Sequence, residues 1–226
     1  FDSYRDNRKS SLKKKAINNI IYGWKYPLKK AFPRILTFYC PPPAVVVDLC
    51  SGYKEFYKRL VSGGIDGQGY KFILGDIRNL LGNHFVADCR YAPLKSSIAD
   101  CVVFDPPYMS GHAFKSYTKL DGKEKFTEIE IPELLDLLKK AKREIVRILK
   151  PKGIMIFKIM DRHWNKKFYC LHCMAAEIFA PELELYDLLI FNGMNRYKVW
   201  RLKNVDRMYA RKCFSYFMIF RKVISP

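Results

Sequence analysis

Four short apolar runs in this chain each end on an aspartate: "AVVVD" at 44–48, "KFILGD" at 71–76, "HFVAD" at 84–88 and "ADCVVFD" at 99–105. No other feature limits the fold as strongly. A strand that is apolar along its whole length is buried on both faces, and buried parallel strands need helices on either side. The intervening segments supply them. "EFYKRLVSGG" reads as a helix stopped by glycine. Residues 131–149 place Leu134, Leu135, Leu138, Ala141, Ile145 and Leu149 on one helical face, with Pro132 in the first turn and "PKG" ending the helix. "GIMIFKIMD" (153–161) is a fifth strand, "FYCLHCMAAEIFA" helical, "LELYDLLIF" strand-like and "FSYFMIFRK" (214–222) the last strand. This alternation predicts an α/β fold: a Rossmann-like, doubly wound, mostly parallel seven-stranded sheet with an antiparallel last strand.

In sheets of this kind ligands sit outside the carboxyl ends of the strands. Asp48, Asp76, Asp88 and Asp105 are therefore expected along one edge. Four acids there make either a costly cluster of like charges or a cradle for a ligand rich in hydrogen-bond donors. Asp105 is followed by Pro106, Pro107 and Tyr108. Proline cannot continue a central strand, and it pushes the preceding residue towards extended backbone. The strand thus stops abruptly, fixing a carboxylate, a stiff corner and an aromatic ring in one place.

The length of 226 residues suits one sizeable domain. A net charge of +19, from 41 Lys and Arg against 22 Asp and Glu, points to a polyanionic partner, nucleic acid before an anionic membrane surface. Seven cysteines, an odd number without framework spacing, read as reduced thiols. No signal peptide is read at the start and no apolar run reaches transmembrane length, so the expectation is a cytoplasmic, intracellular protein with no membrane partner. Residues 1–43 are expected to form a basic arm with a helix that packs on the core, with Ile17, Ile20, Ile21 and Trp24 at helical spacing and "CPPPA" as a rigid linker. Residues 44–226 form the main domain.

"VVVDLCSG", "ILGDIR", "VADCRYAPL" and "CVVFDPPY", in that order, resemble the motif series of class I S-adenosylmethionine-dependent methyltransferases. The "DPPY" resembles that of the amino-methyltransferases, which methylate exocyclic nitrogens of nucleobases, as in DNA adenine-N6 and cytosine-N4 enzymes. The resemblance covers roughly residues 40–222. It implies that Asp48, Cys50, Ser51 and Gly52 form the loop carrying the methionine part of the cofactor. It implies further that Asp76 binds the ribose hydroxyls and Asp88 the adenine amine. One departure stands out: the family's loop usually has a second glycine where this chain has "GYKEF", with Tyr53 and Lys54.

The chemistry explains the motif. An exocyclic amine is a poor nucleophile because its lone pair is delocalised into the ring. Accepting hydrogen bonds from both its N–H groups, at the Asp105 carboxylate and the Pro106 carbonyl, favours a tetrahedral nitrogen that can attack the methyl sulfonium. The prolines hold these acceptors in advance. Tyr108 is expected to offer a face for base stacking. In a duplex the target base must be flipped out.

Segment 109–126 is expected to close over the base, within a longer loop 109–130. The insertion 192–213 interleaves Arg196, Lys198, Arg201, Lys203, Arg207 and Arg211 with Tyr197 and Trp200, which suits phosphate contact plus stacking. Cys170, His172 and Cys173 suggest zinc, but no second ligand pair is evident, so these cysteines are read as core thiols and no metal is assigned. In the family that the motif resembles, an acid at its first position is commonest among adenine-N6 enzymes, so the resemblance implies N6 of adenine; DNA is favoured over RNA because tRNA enzymes of this kind usually carry an extra RNA-binding domain. The alternatives are an RNA guanine-N2 or adenine-N6 methyltransferase, or a nucleic-acid-binding subunit that has lost activity. No large recognition domain fits between the motifs. Target recognition then falls to the basic segments, a homodimer or a partner subunit.

Overall fold

The computed structural model describes residues 28–54, 56–57, 69–80, 82–108, 129–192 and 214–224. The helical pattern around Ile17–Trp24, most of the "EFYKRLVSGG" helix, the 109–126 loop and all eight named basic and aromatic residues between 193 and 213 lie outside these residues.

Strands β1 (Ala44–Asp48), β2 (Tyr70–Asp76), β3 (Phe85–Val86), β4 (Ala99–Phe104), β5 (Leu149–Ile159), β8 (Leu183–Asn192) and β9 (Phe214–Lys222) form one seven-stranded sheet. Its order is β3-β2-β1-β4-β5-β9-β8. The first five strands are parallel to one another, and β9 runs antiparallel between β5 and β8. This is the expected architecture. The chain order reverses between β1 and β4, so the carboxyl ends of these two strands flank the crevice where such folds bind ligands.

Successive residues of the central strands enter opposite cores. Val47, Val102, Phe104, Met155 and Phe157 pack on one face, and Val46, Cys101, Val103, Ile154 and Ile156 on the other. The first face is covered by α2 (Ile131–Ile148) and α3 (Leu171–Phe179), the second by α1 (Leu28–Tyr39). On α2 the buried positions are Ile131, Leu134, Leu138, Ala141, Ile145 and Ile148, the i, i+3, i+4 stripe of an amphipathic helix. Leu149 is buried too, but it opens β5 instead of ending the helix.

Two elements differ from the sequence reading. Helix α1 lies in the basic arm and buries Phe32, Ile35 and Leu36 although Pro33 sits inside it. Proline removes a helical hydrogen bond at a cost of about 3 kcal/mol, and the apolar stripe offsets it. Between β5 and α3, β6 (Arg162–Trp164) and β7 (Lys167–Tyr169) form a hairpin. Its corner residues Asn165 and Lys166 both take positive φ, 47° and 61°, as a tight hairpin turn requires. No described helix is long and apolar enough to cross a membrane.

Candidate active site

The ends of β1, β2 and β4 converge. The charges of both Asp105 and Asp76 act on Asp48, which lies fully buried at the end of β1. Asp48 accepts hydrogen bonds from the Cys50 backbone N–H and the Tyr57 hydroxyl, each at 2.8 Å. It therefore braces the loop from beneath, and its two oxygens already have partners inside the protein. Above it Ser51 donates its N–H to the Gly75 carbonyl at 2.9 Å, which ties the loop to β2. The Cys50 thiol pairs with Cys89.

Gly52 has φ +50°, and a Cβ there would have only the Arg78 guanidinium, at 3.7 Å, and the Cys50 carbonyl, at 4.0 Å, within reach. The glycine keeps an open notch at the loop's crest. Lys54, where the related motif has its second glycine, adopts φ +58°. The backbone thus keeps the left-handed turn without the glycine, at roughly 1 kcal/mol of strain.

The acids at the rim are not bare. Asp76 accepts from the Gly52 N–H at 2.9 Å and from the Arg78 N–H and Nε at 3.0 Å each. Asp88 is held by Arg90 through Nε at 2.9 Å and Nη2 at 2.5 Å, and the Arg90 side chain holds its carboxyl below the usual range. Asp105 accepts from Lys158 Nζ at 3.2 Å on both oxygens. To the two alternatives of a costly like-charge cluster and a ligand cradle the structure adds a third element, internal cations. Three of the four carry their own cation, two of them from an arginine two residues on, visible in "GDIR" and "ADCR".

Lys158 is the feature the sequence reading missed. It stands in β5 with a nearly buried side chain and also donates to the Tyr108 hydroxyl. Burial alone would pull its ammonium down, yet Asp105 and Tyr108 together hold it above the ordinary lysine value. The signal was a lone lysine inside "GIMIFKIMD", since a charge in a doubly buried strand implies a partner. Tyr108 is 5% exposed and packs in the core, with its ring 5.0 Å from the Lys158 ammonium. Asp105 and Pro107 are partly exposed, and Pro106 is buried.

Arg162, buried at the start of β6, donates to the Tyr108 carbonyl at 3.0 Å and to the Ile129 carbonyl at 2.5 Å. These two residues flank segment 109–128, so one guanidinium ties both of its ends to the end of β5. Neither Lys158 nor Arg162 belongs to the motif series; Lys158 comes from the neighbouring strand β5 and Arg162 from the hairpin that follows it.

Burial raises the Asp48 carboxyl to about 7, despite the Cys50 and Tyr57 hydrogen bonds that favour its charged form. An unfolded aspartate titrates near 3.9, so between those values the folded chain holds a proton that the unfolded chain has lost. Stability from this group accordingly falls as pH rises from about 4 to 7, by a few kcal/mol. Asp48→Asn keeps the shape and is expected to flatten that decline. Urea unfolding of both proteins at pH 5 and pH 8 measures it; an unchanged difference between the two pH values would show that Asp48 ionises freely.

The comparisons agree with this geometry. A family model described as DNA methylase, N6_N4_Mtase, matches residues 99–222, more than half of the chain. The chain belongs to this family of amino-methyltransferases, whose methyl donor is S-adenosylmethionine. Among solved structures it is similar to TrmN from Thermus thermophilus, with 14% identity and a TM-score of 0.52, over 85% of this chain and 48% of that one. It spans about half of TrmN's length. A SAM-dependent methyltransferase from Methanosarcina mazei gives 11% identity and a TM-score of 0.53, over 84% and 98% of the two chains. The N-methyltransferase NodS from Bradyrhizobium japonicum gives 10% and 0.53, over 87% and 97%. At these identities the likeness is one of fold. No curated protein sequence matches.

The residues present fit the donor. The notch over Gly52 leaves room at the loop, and Asp76 stands at the end of β2 with acceptors suited to a ribose diol. The Arg78 side chain that shares Asp76 is 29% exposed, so solvent can take it when a diol takes its place.

Proposed function

We propose that this protein transfers a methyl group from S-adenosylmethionine to an exocyclic amino group of a nucleobase, N6 of adenine in DNA before any other target. The observation that supports the reading most directly is the Asp105 carboxylate. It is partly open to solvent at the end of β4, fixed from ahead by two prolines and from behind by Lys158. Asp105 and the Pro106 carbonyl accept the two N–H groups of the target amine and hold it tetrahedral for attack. Lys158 bonds both oxygens of the carboxylate and anchors Tyr108, so the acceptors are placed before the base arrives. Gly52 and Ser51 line the methionine end of the donor, Asp76 takes the ribose and Asp88 the adenine amine. The donor supplies an electrophilic methyl on sulfur; the amine proton leaves to solvent after transfer.

The net charge of +19 suits a nucleic acid. Arg196, Tyr197, Lys198, Trp200, Arg201, Lys203, Arg207 and Arg211 are proposed to grip its backbone and bases. The test is labelled methyl transfer onto matched DNA and RNA, followed by nucleoside digestion and mass analysis. N6-methyladenine from DNA is the expected product. Label confined to RNA would reassign the polymer, and no transfer to either would remove the enzyme reading.

A further inference from the structure

We propose that Cys170, His172 and Cys173 form a zinc site at the start of α3, held in place by Asp161. Their ligand atoms lie within 4.8 Å of one another, the one such cluster among the described residues. The cysteines are not the core thiols that the sequence pattern suggested: Cys170 is partly exposed and Cys173 exposed. Cys170 is the residue preceding α3 and Cys173 lies in its first turn, so C-x-x-C spacing brings both sulfurs to one end of the helix.

The imidazole is already aimed. His172 Nδ1 lies 2.8 Å from Asp161, which also accepts from the His172 backbone N–H at 3.3 Å and from the Tyr216 hydroxyl at 3.1 Å. Tyr216 stacks on the ring at 4.1 Å. A buried carboxylate on one ring nitrogen fixes the tautomer and leaves the other as a metal ligand. That other nitrogen, Nε2, sits 3.8 Å from Cys170 Sγ and 3.5 Å from Cys173 Sγ. Tetrahedral zinc, with Zn–S of about 2.3 Å and Zn–N of about 2.0 Å, sets sulfur and nitrogen roughly 3.5 Å apart. The Cys173 Sγ–Nε2 edge of the coordination polyhedron is thus in place, whereas Cys170 Sγ lies beside the ring, 3.6 Å from Nδ1 as well, and must swing towards Nε2. The sulfurs, 2.7 Å apart, must separate by about 1 Å, a movement the exposed Cys173 side chain can make.

Binding releases two thiol protons and leaves a fourth position for water, on the exposed side. Zinc here would pin α3 to the end of β5 through Asp161 and to β9 through Tyr216. Asp161 lies three residues beyond Lys158, so the pin would steady the strand end that bears on Asp105.

The test uses the full chain, reduced and stripped with chelator, titrated with cobalt(II). One equivalent is expected to give thiolate-to-cobalt charge-transfer absorption with tetrahedral visible bands, both erased by zinc. Cys170→Ser and Cys173→Ser should each weaken binding by roughly 100-fold, and Asp161→Asn by about 10- to 100-fold with the bands retained. Cys40→Ser, in the opposite core, should change neither. Prior alkylation of the exposed thiols gives the same answer without any variant. Absence of bands in the reduced wild-type chain would overturn the proposal, as would bands that survive in the double cysteine variant. Two thiols that oxidise to a disulfide in a chain giving no cobalt spectrum would likewise overturn it, and mark a redox pair instead.

Discussion

Asp105→Ala is expected to slow methyl transfer by at least about 100-fold while leaving S-adenosylmethionine binding within a few-fold of the parent. The size follows from the role proposed for the carboxylate, a fixed acceptor for an N–H that becomes more acidic as nitrogen attacks. Removing one such preorganised hydrogen bond costs about 10²–10³ in rate. Donor binding is proposed to rest instead on the loop after β1 and on Asp76, which the Gly52 N–H joins. Alanine also strips Lys158 of its charge partner inside the protein, so the variant loses stability as well. Asp105→Asn separates the two effects. It keeps the volume and one acceptor oxygen but carries no charge, so its rate is expected to lie between those of the parent and the alanine variant. Single-turnover transfer with labelled donor, beside calorimetry of donor binding, checks both. A rate within tenfold of the parent in Asp105→Ala would remove Asp105 from the chemistry.

The parts of this molecule that a sequence reader can recover are those governed by short-range rules. Strands buried on both faces announce themselves as apolar runs, and the stripe from Leu134 to Ile145 announces α2. The corner at Asp105 follows from proline stereochemistry alone. Long-range pairing hid the rest. Lys158 is 53 residues from Asp105, and only the parallel register of β4 against β5 puts them side by side. Arg78 and Arg90 were visible, but a local D-x-R spacing does not say that the arginine folds back on its own aspartate. Helix α1 was concealed by Pro33, where tertiary burial overrides propensity. Cys170, His172 and Cys173 stand out together in the sequence, but their organiser, Asp161, does not, because it sits on the other side of a hairpin that the residue pattern does not reveal.

Lys158→Met is the sharpest test of how the corner is held. Methionine fills a similar volume without charge, so any loss reports the pairing and not a cavity. Breaking a buried ion pair costs about 3–5 kcal/mol when the remaining charge is fully enclosed. Asp105 retains 23% exposure, which lets water meet part of its charge. The expected loss is therefore near the low end, about 3 kcal/mol, or roughly 6–12 °C in Tm for a domain of this size. The pH dependence fixes the cause. The Lys158 value is raised above that of an unfolded lysine, near 10.4, so its contribution is complete below that pH and fades only as pH climbs through the folded value. The deficit should consequently be the same at pH 6 and pH 9, unlike the effect of Asp48, which changes between about 4 and 7. In activity, kcat should fall with the donor's KM unchanged, because Asp105 and Tyr108 lose their common anchor while the donor loop keeps its own. If kcat is preserved, the two prolines alone hold the acceptor in place, and Lys158 serves only to neutralise a carboxylate that the fold has half enclosed.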